Sequence, residues 1–133
     1  MRFMLLQDYG GVESDCPPMS QWTPEEIRAH IDFQNALNAE LLERGELIDA
    51  QALTGPEMAK FVVADGVSAP VITDGPYPES KELLAGYRMI DVETVERALE
   101  IAAQASAAPG VNGVPIRQRI EVREVMSAAG PEA

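Results

Sequence analysis

At 133 residues, 46% of them hydrophobic and 24% charged, the chain is long enough to bury one core and is composed like a folded domain. Its 22 acidic and 10 basic side chains leave a net charge of −12, which argues against nucleic acid or an anionic membrane as partner, since both call for a basic surface. Cys16 is the single cysteine, so an intramolecular disulfide and a cysteine-built metal centre are both excluded. No apolar run reaches membrane length, and MRFMLLQDY turns polar too early for a signal peptide, so a cytoplasmic protein is expected.

In chain order, Arg2 to Tyr9 alternates as a strand, with Phe3, Leu5 and Gln7 on one face and Met4, Leu6 and Asp8 on the other. Neither face is purely polar, which predicts an inner strand. GGVESDCPPMSQ, residues 10–21, reads as a loop. A helix start follows at Trp22-Thr23-Pro24-Glu25-Glu26-Ile27. Thr23 suits the N-cap, Pro24 the first helical position and Glu26 the third, completing a capping box, while Trp22 and Ile27 are spaced as a hydrophobic staple. The helix is expected to run to about Arg44 and stop at Gly45, with Ile27, Ile31, Leu37, Leu41 and Leu42 as its buried stripe.

His30 and Gln34 fall inside that stripe, one turn apart. A polar pair in an apolar face must find partners, because each group buried without one costs about 1–3 kcal/mol. Two roles are open to His30: a structural imidazole bonded to a backbone carbonyl, or a site residue.

Glu46 to Leu53 reads as a second strand, Met58 to Ala64 as a third and Ala69 to Thr73 as its hairpin partner across Asp65-Gly66. That hairpin leads into VITDGPYPESKELLAGY, residues 71–87. Asp74-Gly75-Pro76 is a strong chain break that holds a carboxylate at the tip of a strand. Asp74 either caps its own turn or projects into a site. Residues 79–84 suggest a short helical turn, and Gly86 to Val92 the next strand. A second helix is expected from Asp91–Thr94 to Ser106, burying Val95, Ala98, Leu99, Ala102 and Ala105. PGVNGVP, residues 109–115, is a long loop, Ile120 to Val125 the last strand, and residues 127–133 a frayed tail to a single domain spanning residues 1–126.

The order β-α-β-(hairpin)-β-α-β is what a ferredoxin-like α+β fold requires. Two helices cover one face of such a sheet, and strands apolar on both faces need the other covered too, so a homodimer is expected. There is no phosphate loop, nucleophile elbow or set of metal ligands, and no cofactor is implied. The acid–base combination on offer is His30 with Asp74, a pair suited to proton exchange near neutral pH. Tyr9, Trp22, Gln34, Tyr77 and Tyr87 are the candidates for lining a small-molecule pocket beside it.

WTPEEIRAHIDFQNAL, VITDGPYPESKELLAGYRMIDV and GVPIRQRIEVREVM together resemble the DGPF-domain branch of the YCII-related family, with Tyr77 in place of the phenylalanine of Asp-Gly-Pro-Phe. The resemblance covers nearly the whole chain. It implies a ferredoxin-like fold that pairs into a dimeric α+β barrel, and a His–Asp site that carries over to His30 and Asp74. Relatives with this barrel isomerise or dehalogenate muconolactone-type lactones, which implies a lyase, isomerase or dehalogenase acting by proton transfer. Genes of this branch also lie beside extracytoplasmic-function sigma factors, which implies instead a dimeric ligand-binding or regulatory module without turnover.

Overall fold

The computed structural model describes residues 1–9, 17, 19–75 and 83–126. Six strands and two helices follow one another as β1 (Arg2–Tyr9), α1 (Pro24–Glu43), β2 (Leu47–Ala52), β3 (Lys60–Val63), β4 (Val71–Asp74), β5 (Leu83–Asp91), α2 (Val95–Ser106) and β6 (Ile120–Glu124). Four of the strands form one antiparallel sheet in the order β2-β5-β1-β6, and β3 and β4 form a separate hairpin. Interleaving of the two β-α-β units, with β5 between β1 and β2, makes this a ferredoxin-like α+β fold.

Local signals explain both ends of α1. Thr23 Oγ1 accepts from the Glu26 amide at 3.1 Å while Glu26 Oε1 accepts from the Thr23 amide at 2.9 Å, closing the capping box. At the other end Gly45 has φ +74°, and the Glu46 and Gly45 amides reach back to the carbonyls of Leu41 and Leu42. That is the paired hydrogen bonding of a Schellman motif, for which a left-handed residue is required.

Both helices pack on one face of the sheet. Phe3, Leu5 and Ile90 from the two central strands meet Leu37 and Leu41 of α1 and Ala98, Ile101, Ala102 and Ala105 of α2. Leu5, Leu41, Ile90 and Ile101 are fully enclosed, each contributing about 1.5–3 kcal/mol through burial. The small residues of α2 let it lie close to the sheet.

The stripes differ from those the periodicity suggested. Ile31 and Leu42 are 48% and 66% exposed, and the line of α1 that faces the sheet is His30, Gln34, Leu37 and Leu41. In α2, Val95 and Leu99 are exposed and Ile101 takes their place in the core. Each helix is turned on its axis from the position that would bury the most hydrophobic residues. For α1 the cause is polar, since Gln34 and Asn38 reach a buried arginine on β5.

The segment expected as a helical turn also differs. Leu83 and Leu84 belong to β5, which continues the sheet past Gly86, and residues 79–82 lie outside the described ones, as do residues 10–16, including Cys16, and the tail 127–133. On the sheet face away from the helices, Met4, Leu6 and Met89 lie half-buried around Tyr87. The β3–β4 hairpin turns at Asp65, whose carboxylate accepts from the amides of Val67 and Ser68, and at Gly66 with φ +81°. Val62, Val63, Val71 and Ile72 of this hairpin are all more than 60% exposed. Among the described residues no helix is long and apolar enough to cross a membrane.

Candidate functional site

One line of α1 carries a chain of polar groups across to the sheet. His30 Nδ1 lies 3.0 Å from the carbonyl oxygen of Pro109. A carbonyl can only accept, so Nδ1 donates to it and Nε2 is the ring nitrogen turned toward the rest of the chain of groups. Gln34 Nε2 sits 3.3 Å from that nitrogen and donates to it. The other end of the same amide, Gln34 Oε1, accepts from Arg88 Nη2, and Arg88 Nε donates to Asn38 Oδ1 at 2.7 Å. His30, Gln34 and Asn38 recur every fourth residue, which stacks them along one line of the helix.

The surroundings fix these groups in place. Trp22 meets the His30 ring edge-on, with centroids 5.5 Å apart and planes at 73°, and its indole nitrogen donates to the Pro17 carbonyl at 2.8 Å. The residue expected to staple the helix start thus also walls its histidine. The loop that supplies Pro109 closes on itself through the Pro109–Pro115 bridge. It is tied to the start of α1 by the Asn112 amide, which donates to Glu26 Oε2 at 2.7 Å. Hydrogen bonds from the Thr23 and Asn112 amides hold the Glu26 carboxyl below its ordinary pKa.

Arg88 is the residue that sequence reasoning missed. It is 5% exposed, and burial pushes its pKa down from the usual value, yet a guanidinium keeps its charge at neutral pH. Among the described residues its partners are the neutral oxygens of Asn38 and Gln34, with no carboxylate against it. A buried charge without a counter-charge is costly by about several kcal/mol. On the same sheet face, Gln7 Nε2 is buried and has no hydrogen-bond partner among the described residues. A signal for Arg88 was present: two-residue alternation places it in phase with Ile90, in the buried set of its strand.

The remaining candidates lie elsewhere. Asp74, at the end of β4, accepts from Lys60 Nζ at 2.7 Å, and this ion pair holds its carboxyl below the ordinary range. Both side chains are exposed. Gly75 follows because the chain runs hard against the turn before β3. A Cβ there would meet the Pro56 carbonyl oxygen at 2.8 Å and the Phe61 ring at 3.0 Å, and the Gly75 amide donates to the Ala59 carbonyl at 2.7 Å. The Asp-Gly pair therefore closes the base of the hairpin. Among the described residues no hydrogen bond or ion pair joins Asp74 to His30.

Tyr87 is on the opposite sheet face from His30, donating to Asp49 Oδ2 at 2.7 Å, which raises its own pKa and lowers that of Asp49. Tyr77 and the side chain of Tyr9 fall outside the described residues. The structure thus brings together His30, Gln34 and Trp22 of the expected set, adds Arg88, Asn38 and Pro109, and leaves Asp74 and Tyr87 apart from them. Among the described residues no three His, Cys, Asp or Glu side chains gather as a metal would require.

The family model for the YCII-related domain matches residues 1–123. The chain belongs to the YCII-related family. An uncharacterized protein of Rhizobium meliloti (strain 1021), R00369, is 28% identical to this YCII-related chain over 99 residues, which is 74% of the chain and 79% of that relative.

Proposed function

We propose that this YCII-related protein is a homodimeric small-molecule protein whose site is built on His30, with the imidazole exchanging a proton with its ligand. The observation that carries the reading is the continuous hydrogen-bonded line from His30 through Gln34 to the buried Arg88. The Pro109 carbonyl accepts from His30 Nδ1, the bond a structural imidazole would also make, and this turns Nε2 toward the Gln34 amide. Proton transfer suits lyase, isomerase or dehalogenase chemistry of the kind run on lactones. Asp74 serves the hairpin in this reading and enters the site only if a partner subunit brings it there.

Pairing is supported by the sheet face away from the helices, on which no helix packs among the described residues and where the half-buried Met4, Leu6 and Met89 offer an apolar centre to a second copy. The chain is expected to sediment as a dimer at micromolar concentration.

The test of turnover is deuterium exchange into a muconolactone-type lactone in D₂O. Exchange by the wild-type protein that disappears in His30→Gln is the expected result. Equal exchange with both proteins, or with neither, sinks the proton-transfer reading. The hairpin favours a second reading, a regulatory binding module of the sigma-factor-associated kind, because its exposed valines and isoleucine suit contact with another protein.

A further inference from the structure

We infer that Arg88 is the anchor for a carboxylate on the ligand of the His30 site, and that Gln34 occupies that place while the site is empty. The inference rests on the His30 site proposed above and names the class of molecule it takes: a small organic acid.

Three independent observations converge. Arg88 is buried on the helix-covered face of the sheet, and among the described residues only neutral oxygens surround it. Interior cations are ordinarily matched by an anion, and the planar fork of a guanidinium matches a carboxylate in particular. Second, the group lying on Arg88 is a primary amide, which has the shape of a carboxylate without its charge. Gln34 gives Arg88 its oxygen and His30 its nitrogen, so a single side chain bridges the cation and the base. An incoming carboxylate that takes the oxygen's position on Arg88 releases the amide, and with it the lone pair of His30 Nε2.

Third, an unused donor lies close by on the same face. Gln7 is two residues beyond Leu5, the cross-strand partner of Arg88, and its Nε2 is buried without an acceptor among the described residues. Gly86 stands opposite Gln7 and two residues before Arg88, so no side chain rises between them. A carboxylate has two oxygens, and here one would meet Arg88 while the other takes the Gln7 amide proton. The sheet thereby supplies the charge that holds the ligand and the helix supplies the base that acts on it.

The experiment compares benzoate with benzamide, its neutral counterpart of the same shape, on the full-length protein by NMR. Benzoate is expected to shift the Arg88 Nε–H and His30 ring resonances saturably, and benzamide to leave them unmoved. Arg88→Met should abolish the benzoate response. Gln34→Glu, which places a carboxylate of the protein's own on Arg88, should raise the melting temperature and also abolish it; this variant keeps the test intact if Arg88→Met does not fold. A benzoate response that survives both substitutions overturns the role of Arg88 while leaving a His30 site standing. Shifts at His30 with benzamide as large as those with benzoate overturn the carboxylate class but again spare the site. No response to benzoate in the wild-type protein overturns the inference outright, and the deuterium-exchange measurement then decides the fate of the site by itself.

Discussion

Two lines of α1 face the same sheet and meet it differently. Along one, Leu37 and Leu41 pack over Phe3 and Ile90. Along the other, His30, Gln34 and Asn38 lead to Arg88, and hydrogen bonds replace apolar contact. A buried ion is often neutral or worse for stability when compared with hydrophobic residues of like volume, so the apolar line is expected to carry most of the helix's contribution to the fold.

The sharpest way to break this comparison is to truncate one side chain on each line. Leu41→Ala opens a cavity at a fully enclosed position and should cost about 2–5 kcal/mol. His30→Ala should change stability by less than about 1 kcal/mol, since polar site residues are commonly held at the expense of the fold. Chemical denaturation of both variants measures the contrast. A loss at His30 comparable to that at Leu41 would return the histidine to the structural core.

A second, smaller effect separates a charge that supports the fold from one that does not. Arg97 of α2 grips Glu46 with two hydrogen bonds of 2.9 Å, and Arg44 adds an ion pair at 3.2 Å. These cations hold the Glu46 carboxyl below its ordinary value of 4.5. A depressed carboxyl pKa stabilises the fold above the unfolded value and loses that contribution as pH falls through the folded value. Acid titration of the wild type should therefore show falling stability below about pH 4.5 that is partly absent in Glu46→Gln. At neutral pH the substitution should cost about 1 kcal/mol, because a pair this near the surface is screened by water. Arg88 has no such acidic partner among the described residues, and this is the difference between the two arginines.

The smallest effect is expected at Asp74. Asp74→Asn removes the charge facing Lys60 at an exposed ion pair, and the melting temperature should barely move. The His30 ring resonances should stay where they are as well, since no hydrogen bond or ion pair joins the two groups among the described residues. A clear shift at His30 would mean that Asp74 reaches the site across the proposed dimer.

Much of this molecule could be read from local signals. Thr23-Pro24-Glu25-Glu26 begins a helix and Gly45 ends one, because caps are satisfied by residues within one turn of each other. Strand alternation in Arg2–Tyr9 and the Asp65-Gly66 hairpin are likewise properties of adjacent residues, and so is the order of elements that marks a ferredoxin-like fold. The presence of His30 and Gln34 inside an apolar stripe was legible for the same reason. What they bind was not.

Which residues meet across the fold was settled by tertiary packing alone. Asp74 looked like a partner for His30 because both are isolated polar groups of suitable chemistry, but Lys60 stands directly across the hairpin from Asp74 and takes its charge. Arg88 lies 54 positions from Gln34, and no local pattern links residues so far apart. The rotation of α1 that exposes Ile31 and Leu42 follows from that contact. A helix can turn about its axis at modest cost in apolar area, whereas a buried guanidinium left without acceptors is far more expensive, so the polar contact decides which face of the helix meets the sheet.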